Sequence, residues 1–302
     1  NYITAIGYDP DKTYEEQSDF FRKNWPADVH IIGKDILRFH TIYWPIFLMA
    51  LGLPMPKKIF GHPWFNFGAD KMSKSKGNVI YADRLADRFG TDGVRYYALA
   101  EMPYGSDGSI TYENVINRFN TDLVNNLGNL VKRTLDMQKK YFDKVIQAPS
   151  CPEPLDEELK EACRTAEEKV CSLMDSYHIA DATGAVMTLL SRANKYIDET
   201  SPWVLAKDES KKARLGTVLY NLLETIRIAA VLLMPFVPAT SEEILRELDA
   251  KAELDALDET AKEIGRPNAG YLLFDRFASF GRLVPGNSVG AVSYTHLTLP
   301  TS

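Results

Sequence analysis

Two periodicities divide the chain. Up to residue 110 they are mixed. Val29-His30-Ile31-Ile32 is a short β-like run that stops at Gly33, and residues 34–51 then carry apolar side chains at helical spacing, so a strand, a turn and a helix are predicted. Lys58-Ile59-Phe60-Gly61 predicts a second strand, Trp64, Phe65 and Phe67 a hairpin, and residues 68–77 a loop. Strands separated by a helix of that length favour a parallel α/β sheet. Two shorter helices follow, over 81–89 and 91–101.

From Thr111, a natural N-cap, the pattern is helical throughout. Val115, Phe119, Leu123, Leu127, Leu130 and Leu135 form a stripe three to five residues apart. Pro149, Pro152 and Pro154 punctuate the chain, and amphipathic helices fit 155–177, 179–199, 211–233 and 240–248, with Ser201-Pro202 ending the second of these. The organisation predicted is therefore an α/β domain over 1–110 and an all-α helical bundle over 111–285. A tail over 286–302 stands apart, because Ser293 to Ser302 has neither charge nor a periodicity joining it to the bundle; it reads as a candidate cloning or assembly artefact.

Composition narrows the function classes. With 302 residues, 45% of them hydrophobic, the chain can bury one or two cores, and 25% charged residues with a mean hydropathy of −0.23 describe a globular protein. The most apolar stretches, 46–53 and 226–237, are shorter than the roughly 20 residues a bilayer requires, and the chain opens without a basic-then-apolar leader, so no membrane partner and a cytoplasmic location are expected. Cys151, Cys163 and Cys171 have neither the pairing of a zinc site nor the density of a disulfide scaffold, and no metal site is expected. The net charge of −6 does not exclude nucleic acid, since the binding field comes from local arrangement.

Chemistry concentrates in Asp70-Lys71-Met72-Ser73-Lys74-Ser75-Lys76-Gly77-Asn78, where three lysines and two serine hydroxyls lie between Gly68 and Gly77. Lysine ammoniums on flexible stems can follow moving charge, serine hydroxyls donate hydrogen bonds, and glycines let a loop swing, which together suit a polyphosphate. An isolated Lys-x-x-Lys is ordinarily a solvated turn; the order KMSKS followed by Lys-Gly-Asn sets this one apart.

Lys71 to Ser75 matches the KMSKS motif of the class I aminoacyl-tRNA synthetases, which this chain resembles. The resemblance implies the C-terminal part of a Rossmann-like parallel-sheet catalytic domain followed by an α-helical anticodon-binding domain. It also implies an enzyme that joins an amino acid to ATP, taken with Mg2+ as substrate, releases pyrophosphate and charges tRNA. By resemblance Lys74 stabilises the charge that builds on the β- and γ-phosphates, with Lys71, Ser73 and Ser75 completing the catalytic loop; such a reaction depends on positioning and electrostatics. His30-Ile31-Ile32-Gly33-Lys34-Asp35-Ile36 and Arg38-Phe39-His40-Thr41-Ile42-Tyr43-Trp44-Pro45 look like the methionine-specific family of the class. That likeness puts Gly33 and Asp35, with Lys74, on the ATP side, and Tyr2, Ile36, Phe39, His40 and Trp44 around methionine. Positions 36, 40 and 44 share one face of a helix. A thioether, poor in hydrogen bonding, is recognised by shape and polarizable contact, which an aromatic and imidazole wall supplies. Gly61-His62-Pro63-Trp64 departs from the family's usual His-Gly-aromatic.

In the second half, Asn125, Asn129 and Arg133 recur every four residues and form a polar ladder. Asparagine amides and an arginine fork suit unpaired base edges. The segment matches the anticodon bundle of the methionine family, whose partner is tRNA(Met). Asn194 to Trp203 is the second match; by resemblance Pro202, which breaks the helix, and Trp203, which stacks on an anticodon base, belong to the anticodon-binding residues. No His-x-Gly-His tetrapeptide occurs, nor a zinc-carrying insertion. The expectation is a C-terminal portion of a methionine-tRNA ligase, nearly inactive alone. Two other readings stay open: a leucine, valine, isoleucine or cysteine specificity, and a non-catalytic tRNA-binding module.

Overall fold

The computed structural model describes residues 1–67, 70–72, 79–102, 105–264 and 274–290. Two compact units result, one of Asn1–Asn66 with Tyr104–Gly108, the other of Phe67–Pro103 with Ser109–Ser302.

The first unit opens with two short helices, α1 (Tyr2–Ala5) and α2 (Asp19–Asn24), the latter capped by the Ser18 side chain, which accepts from the Phe21 N–H at 3.1 Å. Strand β1 (Val29–Gly33) pairs in parallel with β2 (Lys58–His62), in a register running from Val29 opposite Lys58 to Gly33 opposite His62. Between them the helix predicted over 34–51 is divided into a 3-10 turn (Lys34–Ile36), a π turn (Phe39–Tyr43) and helix α3 (Trp44–Ala50). The core consists of Ile3, Ile6, Phe21, Trp25, Leu48 and Leu53, with Tyr8, Tyr14 and Trp44 packed against it. Trp25 is buried without an orphaned donor, because its Nε1–H donates to the Pro54 carbonyl at 3.1 Å. Three short strands, β3 (Phe65–Phe67), β4 (Asp70–Lys71) and β5 (Gly108–Ile110), lie where the chain passes between the residues of the two units.

The second unit includes α4 (Ala82–Ala100), which breaks at Gly90 (φ 73°, ψ 158°), so the two predicted helices are its two halves. A Cβ on Gly93 would lie 2.9 Å from the Phe119 ring; only glycine admits that contact. Thr111 caps α5 (Tyr112–Arg118), accepting from the Asn114 N–H at 3.1 Å. A π-helical stretch (Phe119–Gly128) and α6 (Asn129–Phe142) continue it, and all six predicted stripe residues are buried. Helices α7 (Pro154–Asp175), α8 (Ile179–Thr200), α10 (Lys212–Leu233) and α11 (Pro238–Glu247) match the predicted spans within a few residues, and α9 (Pro202–Leu205) follows the Ser201-Pro202 break. Helix α12 (Lys251–Ile264) and the single turn α13 (Phe274–Phe277) add to the prediction.

Helix α10 is the centre of the bundle, buried at every position from Arg214 to Leu233. By length and composition it is apolar enough to cross a bilayer, contrary to the expectation from the shorter stretch at 226–237, but that window is wholly buried inside the fold. Two ion-pair clusters are buried with it. Arg214 grips Asp156 through Nη1 at 2.6 Å and Nη2 at 2.8 Å, while the Tyr196 hydroxyl donates to Asp156 at 2.5 Å. Arg227 pairs with Glu224 at 2.8 Å and Glu253 at 3.0 Å and donates to the carbonyls of Phe277 and Ser279, so it holds the returning segment 274–290 to α10. That segment ends in pairing with residues 144–146: the Gly286 N–H donates to the Ile146 carbonyl at 2.9 Å and the Val289 N–H to that of Lys144 at 3.0 Å.

Candidate substrate pocket and RNA-facing helices

In the first unit, β1 and the π turn converge with α1 on an open cavity of about 570 Å3 lined by Tyr2, His30, Phe39, His40, Tyr43 and Trp44 among others. Trp44 starts α3 with Pro45 behind it, and its indole packs edge-on against Trp25 with ring centroids 5.9 Å apart. Its Nε1–H donates to His30 Nε2 at 3.3 Å. Burial, then the proximity of His40, holds the His30 imidazole below its ordinary pKa, which keeps the ring neutral and its Nε2 able to accept. His40 is anchored by its own turn, where Nδ1 donates to the Ile36 carbonyl at 3.0 Å. The Tyr2 hydroxyl donates to the Asn24 carbonyl at 2.7 Å. The wall is thus aromatic and imidazole, suited to an apolar, polarizable side chain.

Four of the five residues expected around the amino acid, Tyr2, Phe39, His40 and Trp44, line this cavity; Ile36 does not. It belongs to the 3-10 turn, and the π turn that follows takes more residues per turn than an α-helix, so the single face shared by 36, 40 and 44 is lost. His30, first residue of the His-x-Ile-Gly-Lys-Asp-Ile run, is a wall residue that sequence reasoning passed over. β1 runs into the pocket, with Val29 and Ile31 on either side of His30 also lining it.

Beside the cavity, β1 ends at Gly33, where a Cβ would lie 2.6 Å from Asp35 Oδ1. Glycine is required there for the carboxylate to fold back over the strand end. The same oxygen accepts from Trp64 Nε1 at 3.3 Å. Of the KMSKS loop, Lys71 contributes backbone to β4, and Ser73, Lys74 and Ser75 lie outside the described residues. Among the described residues no group of His, Cys, Asp and Glu could hold a metal ion.

In the second unit the polar ladder spans the π-helical stretch and α6: Asn125 and Asn129 are exposed, and Arg133 is half-buried with Nη2 3.4 Å from Asp198 Oδ1 on α8. Asn126 and Asn194 are structural clasps that the sequence did not single out. Asn126 Nδ2 donates to the Met187 carbonyl at 3.0 Å, and Asn194 Nδ2 donates to Asn126 Oδ1 at 3.1 Å, fixing the ladder to α8. At the end of α8, Ser201 takes a left-handed conformation (φ 44°, ψ 62°), which turns the chain; Pro202 is buried and Trp203 remains 42% exposed. An aromatic side chain so exposed can offer a stacking surface to a base.

Comparison with known proteins follows the same division. The family described as tRNA synthetases class I (M) matches residues 1–135, and the anticodon binding domain of methionyl tRNA ligase matches 148–273. The methionine–tRNA ligase of Clostridium perfringens is 56% identical over 251 residues, covering 83% of this chain and 38% of that protein. That of Caldanaerobacter subterraneus is 50% identical over 280 residues, covering 91% and 43%. The chain therefore spans about two fifths of the length of these curated relatives. Among solved structures, Mycobacterium tuberculosis methionyl-tRNA synthetase in complex with methionyl-adenylate superposes with a TM-score of 0.83 at 38% identity, covering 97% of this chain and 53% of that one.

Proposed function

The chain belongs to the methionyl-tRNA synthetase family of class I aminoacyl-tRNA synthetases, and from that premise we propose that it carries the methionine pocket, the pyrophosphate-side loop and the anticodon-reading helices of a methionine–tRNA ligase acting in the cytoplasm. The observation that carries this reading is the cavity in which Tyr2, Phe39, His40 and Trp44 meet, beside the Gly33–Asp35 turn. An aromatic and imidazole wall accepts a thioether, and the neighbouring carboxylate accepts from nucleotide hydroxyls, so amino acid and ATP lie side by side.

In the reaction a methionine carboxylate oxygen attacks the α-phosphorus of ATP, which enters as its magnesium complex. The bond to the bridging β-phosphate oxygen breaks and pyrophosphate leaves. Lys74, with Lys71, Ser73 and Ser75, neutralises the charge gathering on the departing phosphates. The adenylate then passes its methionyl group to a terminal ribose hydroxyl of tRNA(Met), releasing AMP, while Asn125, Asn129, Arg133 and Trp203 select the RNA by its unpaired bases.

The test is ATP–pyrophosphate exchange by the complete gene product with methionine, leucine, isoleucine, valine and cysteine. Exchange driven by methionine and by none of the others supports the reading. Exchange driven by another member of the panel, or tRNA binding with no exchange at all, overturns it.

A further inference from the structure

A carboxylate remote in sequence from the nucleotide-side turn is built into it. Asp107 Oδ1 accepts from Lys34 Nζ at 2.6 Å and from the backbone N–H of Trp64 at 3.0 Å, and the Asn66 side chain bonds to the same carboxylate. The Lys34 ammonium lies 4.7 Å from the centroid of the Trp64 ring, on its face. The indole in turn donates from Nε1 to Asp35 Oδ1 at 3.3 Å. Three stretches of chain, 34–35, 64–66 and 107, thus end on two carboxylates joined by one indole.

The arrangement has a direction. Asp107 has its partners among groups that frame the ring, and it holds the backbone of Trp64 and the cation over its face. The Lys34 hydrogen bond, then the Trp64 N–H, keep the Asp107 carboxyl below the usual carboxylate range, so it is ionised wherever the protein works. A carboxylate has about four acceptor positions, so one N–H from Trp64 orients Asp35 and leaves acceptor capacity for a ligand.

We propose that Asp107 and Trp64 are positioning residues for nucleotide binding: through the indole they hold the Asp35 carboxylate in the orientation that accepts from the ribose hydroxyls of ATP. The inference rests on the ATP-side role of Asp35 given under Proposed function.

The experiment measures ATP–pyrophosphate exchange by the complete gene product, with ATP and methionine varied separately and with 2′-deoxy- and 3′-deoxy-ATP as alternative substrates. Trp64→Phe keeps the backbone N–H and an aromatic ring at this position and removes the Nε1 donor. It is expected to raise the KM for ATP about 3- to 10-fold, the scale of one hydrogen bond, to leave the KM for methionine unchanged, and to reduce discrimination against the deoxy nucleotide. Asp107→Ala is expected to raise the KM for ATP more than Trp64→Phe does. Asp107→Asn, which keeps an oxygen for the Trp64 N–H and loses the charge, is expected to fall between wild type and Asp107→Ala. An increase shared equally by the two KM values, or intact discrimination against both deoxy nucleotides in Trp64→Phe and Asp107→Ala, overturns the inference while wild-type exchange leaves the enzymatic reading standing. Absence of methionine-dependent exchange in the wild type overturns both.

Discussion

Arg227→Met tests whether the buried ion cluster is what attaches the returning segment 274–290 to the bundle. The guanidinium of Arg227 is wholly buried, and so is the Glu224 carboxylate that it meets at 2.8 Å. Its other donors go to Glu253 at 3.0 Å and to the carbonyls of Phe277 at 2.5 Å and Ser279 at 2.6 Å. Without it, Glu253 keeps Arg282 at 2.9 Å, but Glu224 is left with the backbone N–H groups of Gly281 and Leu283 and no cation. Breaking a buried pair from one side costs about 3–5 kcal/mol, because the remaining charge stays desolvated. For a unit of this size each kcal/mol shifts the melting temperature by about 2–4 °C, so a fall of roughly 6–20 °C is expected. Thermal melts by circular dichroism on the chain read this directly, with limited proteolysis reporting release of 274–290. Adding Glu224→Gln is expected to recover part of the loss by removing the uncompensated charge. Asp136→Ala in the exposed Lys132–Asp136 pair serves as a control, expected to cost less than about 1 kcal/mol. A melting temperature within about 2 °C of wild type for Arg227→Met, or a double variant no more stable than the single one, would refute the reasoning.

In the complete gene product, Lys74→Ala is expected to slow methionine-dependent ATP–pyrophosphate exchange by about 10² to 10³, the effect of losing one transition-state donor; an unchanged rate refutes the loop's role. Trp203→Ala is expected to lower tRNA charging about 5- to 100-fold, as for loss of one base stack, with exchange nearly intact. Equal damage to both steps would mark a folding residue. Trp44→Phe removes the indole donor to His30 and is expected to raise the KM for methionine about 3- to 10-fold with no change for ATP; a larger shift for ATP contradicts the pocket assignment. Because the folded state holds the His30 pKa below 6.5, the unfolded chain takes up the proton first as pH falls. The contribution of His30 to stability is therefore complete above pH 6.5 and is lost as the pH falls toward its lowered value. His30→Phe is expected to flatten that part of the pH–stability profile, and a profile identical to wild type counts against the assignment.

Much of this architecture was legible because it depends on local spacing. The β-like run at 29–32 and the run at 58–61 became parallel strands, Thr111 became a cap, and the leucines of 115–135 went inside. Side-chain period and capping act over a few residues, so a linear sequence carries them. The turn before Trp203 was likewise visible in Ser201-Pro202. The division of 34–51 into 3-10, π and α segments was not, since each is a small adjustment of one helical pattern to its packing. That adjustment took Ile36 off the cavity wall.

Other features exist only because distant segments meet. Nothing near His30 in sequence says that its ring accepts from Trp44, fourteen residues on, and nothing near Asp107 announces Lys34 and Trp64 as its partners. Arg227 reads as one more charge on an amphipathic helix until α10 is surrounded on every side and its charge must find Glu224 and Glu253. The sequence by itself determined the elements, their order and the motif residues that identify the family, because these follow from short-range pattern. Tertiary structure decided which polar groups are desolvated together, and desolvation is what turns a residue type into a neutral acceptor, a clamp or a structural ion pair.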